Sequence, residues 1–157
     1  MYRSILVPLD GSTNAEAILP HILALGQVAQ YEFTLLRVVE SIMIARPMPP
    51  NPAVRELDDQ LIDQLRVDAQ IYLEQVAERL ADHGLTMHIE VVVAPQAASA
   101  ILEQAKQDRC DLIAMATHGR HGLARVLLGS VADKVLGGAR TPVLLYRSPM
   151  QKEGEHG

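Results

Sequence analysis

Five short apolar runs, each separated from the next by a turn signal and a stretch with helical spacing, constrain this chain more than any other feature. The runs are Tyr2–Leu9 (YRSILVPL), Phe33–Val39 (FTLLRVV), Met87–Val93 (MHIEVVV), Asp111–Met115 (DLIAM) and Pro142–Tyr146 (PVLLY). Strands that alternate with helices cannot be joined by hairpins. Each crossover lays a helix across the sheet, so the strands run parallel and both faces are covered. The expectation is an α/β fold: a single doubly wound, five-stranded, mainly parallel sheet with helices on both faces. No internal repeat or second domain interrupts the pattern, and 157 residues suffice for one domain with a substantial core.

The connecting segments carry their own punctuation. Pro8 cannot donate to a sheet ladder and is placed at the exit of the first strand. Thr13 and Glu16 have capping-box spacing, and Ile18, Ile22 and Leu25 continue a helix to about Gln30. The second strand runs into ESIMIARPMPPNP, whose prolines preclude regular structure from Arg46 to Pro52; its position would suit a lid. Leu57, Leu61, Leu65, Tyr72, Val76 and Leu80 then mark one core-facing stripe of a long helix that stops at Gly84. Pro95 opens a helix with Ile101, Leu102 and Ala105 on its apolar face. Val131 and Val135 belong to a last helix closed by Gly137 and Gly138. The tail 148–157 is polar and is expected to fray.

Composition narrows the function classes. A net charge of −5, with one Phe and no Trp, argues against nucleic-acid binding, which asks for a basic surface and stacking aromatics. No apolar run approaches the roughly eighteen residues a membrane helix needs, and no secretory leader is visible at the N-terminus. Cys110 is the only cysteine, so no internal disulfide can form. A cytoplasmic protein is expected.

A ligand of an open α/β sheet sits beyond the carboxyl ends of the strands, where strand order reverses. Two strand exits carry unusual chemistry: PLDGS after the first strand, and ATHGRHGLARVLLGS (Ala116–Ser130) after the fourth. A plain strand-to-helix connection takes about two to six residues, so the second loop is too long to be only a connector. Gly119, Gly122 and Gly129 allow close backbone approach, and a helix beginning near Ser130 offers unpaired N–H groups and a favourable dipole to an anion. Ser130 can cap that helix or donate to a phosphate oxygen. Asp10 is either a carboxylate ligand or a turn residue before Gly11. Arg120 and Arg125 suit phosphate or solvent equally, and His118 reads as a structural histidine. No P-loop, no G-x-G-x-x-G after the first strand and no nucleophile elbow occur. His118 and His121 lack the further ligands of a zinc site.

ILVPLDGS, the T-H-G-R-x-G-L segment and LLGSVADKVL followed by TPVLLYR together resemble the universal stress protein family, in order and spacing, over residues 2 to about 147. The resemblance implies strand order 3-2-1-4-5, with the two unusual loops across one crevice, and a nucleotide-binding domain over residues 1–147. ATP-binding members carry glycine, two residues, glycine, nine residues, glycine and then Ser or Thr. Here the matching positions are Ala116, Gly119, Gly129 and Ser130; an alanine is costly if the first position needs a positive φ and tolerable if it needs only space, and the latter is expected because the rest of the motif is intact. By similarity, Asp10 and the Val38 backbone hold adenine, with Pro8 and Leu9 lining the pocket. Ala116, Gly119, Arg120 and His121 run along ribose and phosphates, Gly129, Ser130, Val131 and Ala132 close on the phosphate end, and Met115 and Gly122 are further nucleotide-binding positions.

The resulting expectation is a regulatory adenine-nucleotide binder. ATP is its ligand, with magnesium carried on the phosphates, and it forms a homodimer through Pro142–Arg147, an apolar strand that would be a hazard if left unpaired. No Walker-type lysine or general base is evident, so little or no hydrolysis is expected. The alternatives are a slow ATPase, a dimeric interaction module that binds no ATP, or a binder of another adenine nucleotide such as AMP or cyclic AMP.

Overall fold

The computed structural model describes residues 2–41, 51–118 and 128–149. In chain order its elements are β1 (Ser4–Pro8), α1 (Thr13–Glu16), α2 (Leu19–Val28), β2 (Glu32–Glu40), α3 (Pro52–Ala81), β3 (Met87–Ala94), α4 (Ala97–Gln107), β4 (Leu112–His118), α5 (Ser130–Gly138) and β5 (Val143–Ser148). The five strands form one parallel sheet in the order β3-β2-β1-β4-β5. The chain winds outward from β1 through β2 to β3, then crosses back to β4, so strand order reverses between β1 and β4. This is the expected doubly wound architecture.

The period-two geometry of the strands distributes the core. Ile5, Val7, Leu35, Leu112 and Ala114 pack on one face with Ile22 of α2 and Leu73, Val76 and Leu80 of α3. Leu6, Leu36, Ile113 and Met115 pack on the other with Ala98, Ile101 and Ala105 of α4 and Ala132 and Val135 of α5. Successive side chains of a strand point to opposite faces, so nearly continuous apolar runs are what a sheet covered on both sides requires. Cys110 lies buried in the second layer, and burial pushes its thiol above the ordinary range.

Several local expectations are corrected. The first helix is capped by Ser12, whose Oγ accepts the Ala15 N–H at 3.1 Å, while Thr13 is the first helical residue. Gly11, at φ +85°, turns the chain so that Ser12 leaves it extended and in capping position. Glu16 therefore does not close a box on Thr13 but pairs with Arg79 of α3. The expected helix to Gln30 is split into α1 and α2, because Pro20 has no N–H to continue the ladder and sits in the first turn of α2. The expected core stripe of α3 is buried only in its second half: Leu57 and Leu61 are 66% and 58% exposed, whereas Leu73 and Val76 are fully buried. A 30-residue helix is about 45 Å long, against about 30 Å for the nine residues of β2, so its first turns overrun the sheet. The segment Arg46 to Pro50 and the tail from residue 150 lie outside the described residues.

Candidate nucleotide site

The site is built where β1 and β4 end. At the β1 exit, Leu9 N–H still donates to Leu36 O at 2.8 Å, and Asp10 Oδ1 then accepts the Ser12 N–H at 2.8 Å. Asp10 is thus a turn residue, and its other carboxylate oxygen is left for a second partner. At the β4 exit the strand runs further than Met115: Ala116, Thr117 and His118 pair in register with Tyr146, Arg147 and Ser148 of β5. Ala116 is therefore an extended strand residue, and the position places no left-handed demand on the backbone. Its methyl packs with the α1–α3 layer, on the sheet face opposite to α5.

Thr117, 4% exposed, accepts the Gly129 N–H on Oγ1 at 3.0 Å, which ties the end of β4 to the start of α5. Gly129 is the N-cap of α5, with φ −58° and ψ 154°, and no side chain caps that helix. Ser130 is accordingly the first helical residue and not the N-cap. Its register follows from the Thr117 tether, which holds Gly129 just outside the helix. The first intrahelical bond runs from Asp133 N to Gly129 O at 2.9 Å. The N–H groups of Ser130, Val131 and Ala132 thus belong to the unpaired first turn of a nine-residue helix, where the dipole favours an anion.

These exits open into one cleft of about 760 Å³. Pro8, Leu9, Asp10, Val38, Met115, Ala116, Gly129, Ser130, Val131 and Ala132 all line it. The other candidates, Gly119, Arg120, His121 and Gly122, and Arg125 with them, lie outside the described residues. The volume is that of a small-molecule site. Among the described residues no group of three His, Cys, Asp or Glu side chains could hold a metal ion.

Sequence reading missed part of the lining. Gly11, Arg37, Asp68, Tyr72, Thr117 and His118 also border the cleft. His118 Nε2 lies 3.3 Å from Asn14 Nδ2, which joins β4 to α1 across the opening. Arg37 carried a readable signal, a charge inside the apolar run FTLLRVV. Tyr72 did not, since it falls within an apolar helical stripe. Burial raises the Tyr72 phenol to about 12, with the Glu16 carboxylate adding to the effect.

The fold and this cleft define a doubly wound α/β protein with an anion-ready helix at its switch point. The family model for the universal stress protein family matches residues 1–147, and the chain belongs to that family. It is 31% identical over 153 residues to universal stress protein MJ0531 of Methanocaldococcus jannaschii, covering 97% of this chain and 86% of that one. The solved structure of MJ0577 from the same organism superposes with a TM-score of 0.78 at 30% identity, over 96% of this chain and 99% of the other. A universal stress protein solved in complex with cAMP has a TM-score of 0.64 over 94% of this chain and 98% of the other; at 18% identity that likeness concerns the fold alone.

Proposed function

We propose that the protein is an adenine-nucleotide-binding member of its family that takes ATP in the cleft between the β1 and β4 exits. The observation that carries this reading is the uncapped start of α5. Three unpaired N–H groups, a serine hydroxyl and Gly129 border a nucleotide-sized space that Asp10 and Val38 also line. Backbone donors at a helix start suit phosphate oxygens, and the apolar walls from Pro8, Leu9 and Val38 suit a base. The Ala116 methyl belongs to the opposite sheet face, so it leaves the α5 side open. Magnesium would ride on the phosphates, where it screens their charge.

Hydrolysis would be very slow or absent. No lysine lines the cleft among the described residues, and the family resemblance assigns Asp10 to adenine rather than to the phosphates. Phosphoryl transfer without a positioned base or cation has little to draw on. The protein would then act as a regulatory module in the cytoplasm, as a homodimer joined through β5. That strand lies at the sheet edge, and Leu144 is 37% exposed; an open edge of this kind favours a second strand. The direct test is to denature freshly purified protein and identify any released nucleotide by mass. ATP near one per chain supports the reading. An empty protein that also fails to take up magnesium-ATP would contradict it.

A further inference from the structure

Among the described residues β3 closes one side of the sheet, with β2 on its inner edge and no strand on its outer one. Ser41 N–H donates to Ala94 O at 3.0 Å, so the Ala94 backbone points toward β2. Successive strand residues turn their N–H and C=O groups to opposite edges. Val92 and Glu90 therefore also bond inward, and Val93, Val91 and Ile89 turn their backbone groups outward. Such a row of free donors and acceptors is a template for another strand.

Two depressions flank this edge, one on each face of the sheet. The first, of about 430 Å³, lies between β3 and α3, where Val67, Ile71, Ile89 and Val91 line it together with Arg66, Gln70 and Glu90. The second, of about 570 Å³, lies between β3 and α4 and includes Glu90, Val92, Ala94, Ser99 and Glu103. Neither shares a lining residue with the cleft at the β1 and β4 exits. An added strand sends alternate side chains to the two faces, so one segment would fill both depressions while its backbone pairs with β3. Backbone bonds then supply affinity and the side-chain pockets supply selectivity. Val67 and Ile71 are half exposed, whereas α3 gives Ala69 and Leu73 to the core at the same level.

The two depressions differ in chemistry. The α3 side is mostly aliphatic and suits an apolar side chain. The α4 side carries the exposed carboxylates of Glu90 and Glu103, with no Lys, Arg or His among its lining residues, and suits a basic one. A second β3 fits poorly, because two-fold pairing would gather Glu90 and Glu103 of both copies on one face of the joined sheet. We infer that the β3 edge is a docking site for an extended segment of a partner protein whose alternate residues are apolar and basic. The inference stands apart from the nucleotide reading and gives the molecule a partner-binding edge opposite to β5.

The test titrates the full chain into a fluorescent eight-residue peptide of alternating valine and lysine. Anisotropy should saturate with a Kd below about 1 mM. Amide exchange at Ile89, Val91 and Val93 should slow when peptide is added, while Glu90 and Val92, already bonded to β2, should not change. Ile71→Ser and Glu90→Gln, both at surface positions, should each weaken the peptide about three- to tenfold. An Ile71→Ser variant that binds as tightly as wild type would overturn the inference, by reducing the interaction to an attraction between net charges. Absence of binding up to about 1 mM would overturn it outright. Protection of the outward amides that grows with protein concentration in the absence of peptide would also overturn it, by assigning this edge to a second copy.

Discussion

At the scale of single residues, the start of the fold hangs on Asp111. Its Oδ2 accepts the N–H groups of Arg3 at 2.8 Å and Ser4 at 3.0 Å, which pins the beginning of β1 to the beginning of β4. Those two donors hold the carboxyl below its ordinary 3.8. A carboxyl whose value is lower in the folded state stabilises the fold above its unfolded value, and that contribution fades as pH falls through the folded one. Asp111→Ala should therefore melt earlier than wild type at neutral pH. The gap in melting temperature should narrow on acidification below pH 3.8. A gap independent of pH would show that the carboxylate charge plays no part. The first motif position is also settled at this scale. Sequence alone left open whether Ala116 replaced a glycine needing left-handed backbone, because that depends on where β4 ends. The pairing of β4 with β5 through His118 places Ala116 inside the strand, and no local signal in DLIAMATH marks that boundary.

At the scale of elements, the existence and order of the strands and major helices were legible in the sequence, because periods of two and 3.6 are set by the chain's own geometry. What escaped depended on lengths and neighbours. The α1–α2 break was readable in principle from Pro20. The half-exposed α3 was not, since its stripe of Leu57, Leu61 and Leu65 looks like core until the helix is measured against the strands it crosses. The two halves should respond differently to truncation. Leu73→Ala, at a fully buried position, should cost about 2–5 kcal/mol in denaturant unfolding. Leu61→Ala, at a 58% exposed one, should change stability by no more than about 0.5 kcal/mol. Equal losses would mean that the first half of α3 is also core.

At the scale of the whole molecule, the fold does two things at once. The reversal between β1 and β4 creates the cleft, and the same topology leaves β5 as an open edge beyond β4. Pairing of two β5 strands across a two-fold axis would close that edge while leaving the carboxyl ends of β1 and β4 facing outward. At micromolar concentration the protein should sediment at twice its 17.2 kDa chain mass, and Leu144→Lys should shift it toward monomer without unfolding it. A wild-type monomer would rule out the dimer. The part of the cleft lining at the strand exits was legible before the structure, because motif residues cluster there, whereas the lining from α3 and α4 was not. Tyr72 in particular was not, since its buried hydroxyl without a partner is a property of three-dimensional neighbours alone.

The central claim is that the uncapped start of α5 is a phosphate cradle for an adenine nucleotide. Its most direct test is calorimetric titration of magnesium-ATP into wild type and Gly129→Val. The added side chain begins at a Cβ in ordinary contact with Thr117 Oγ1, at 3.4 Å, and at a φ of −58° that valine accepts, so it adds bulk beside the helix start without straining the fold. Saturable binding near one ATP per chain, abolished or strongly weakened in a folded Gly129→Val, is the predicted result. Binding of equal strength in both proteins, or no binding to wild type, would contradict the account.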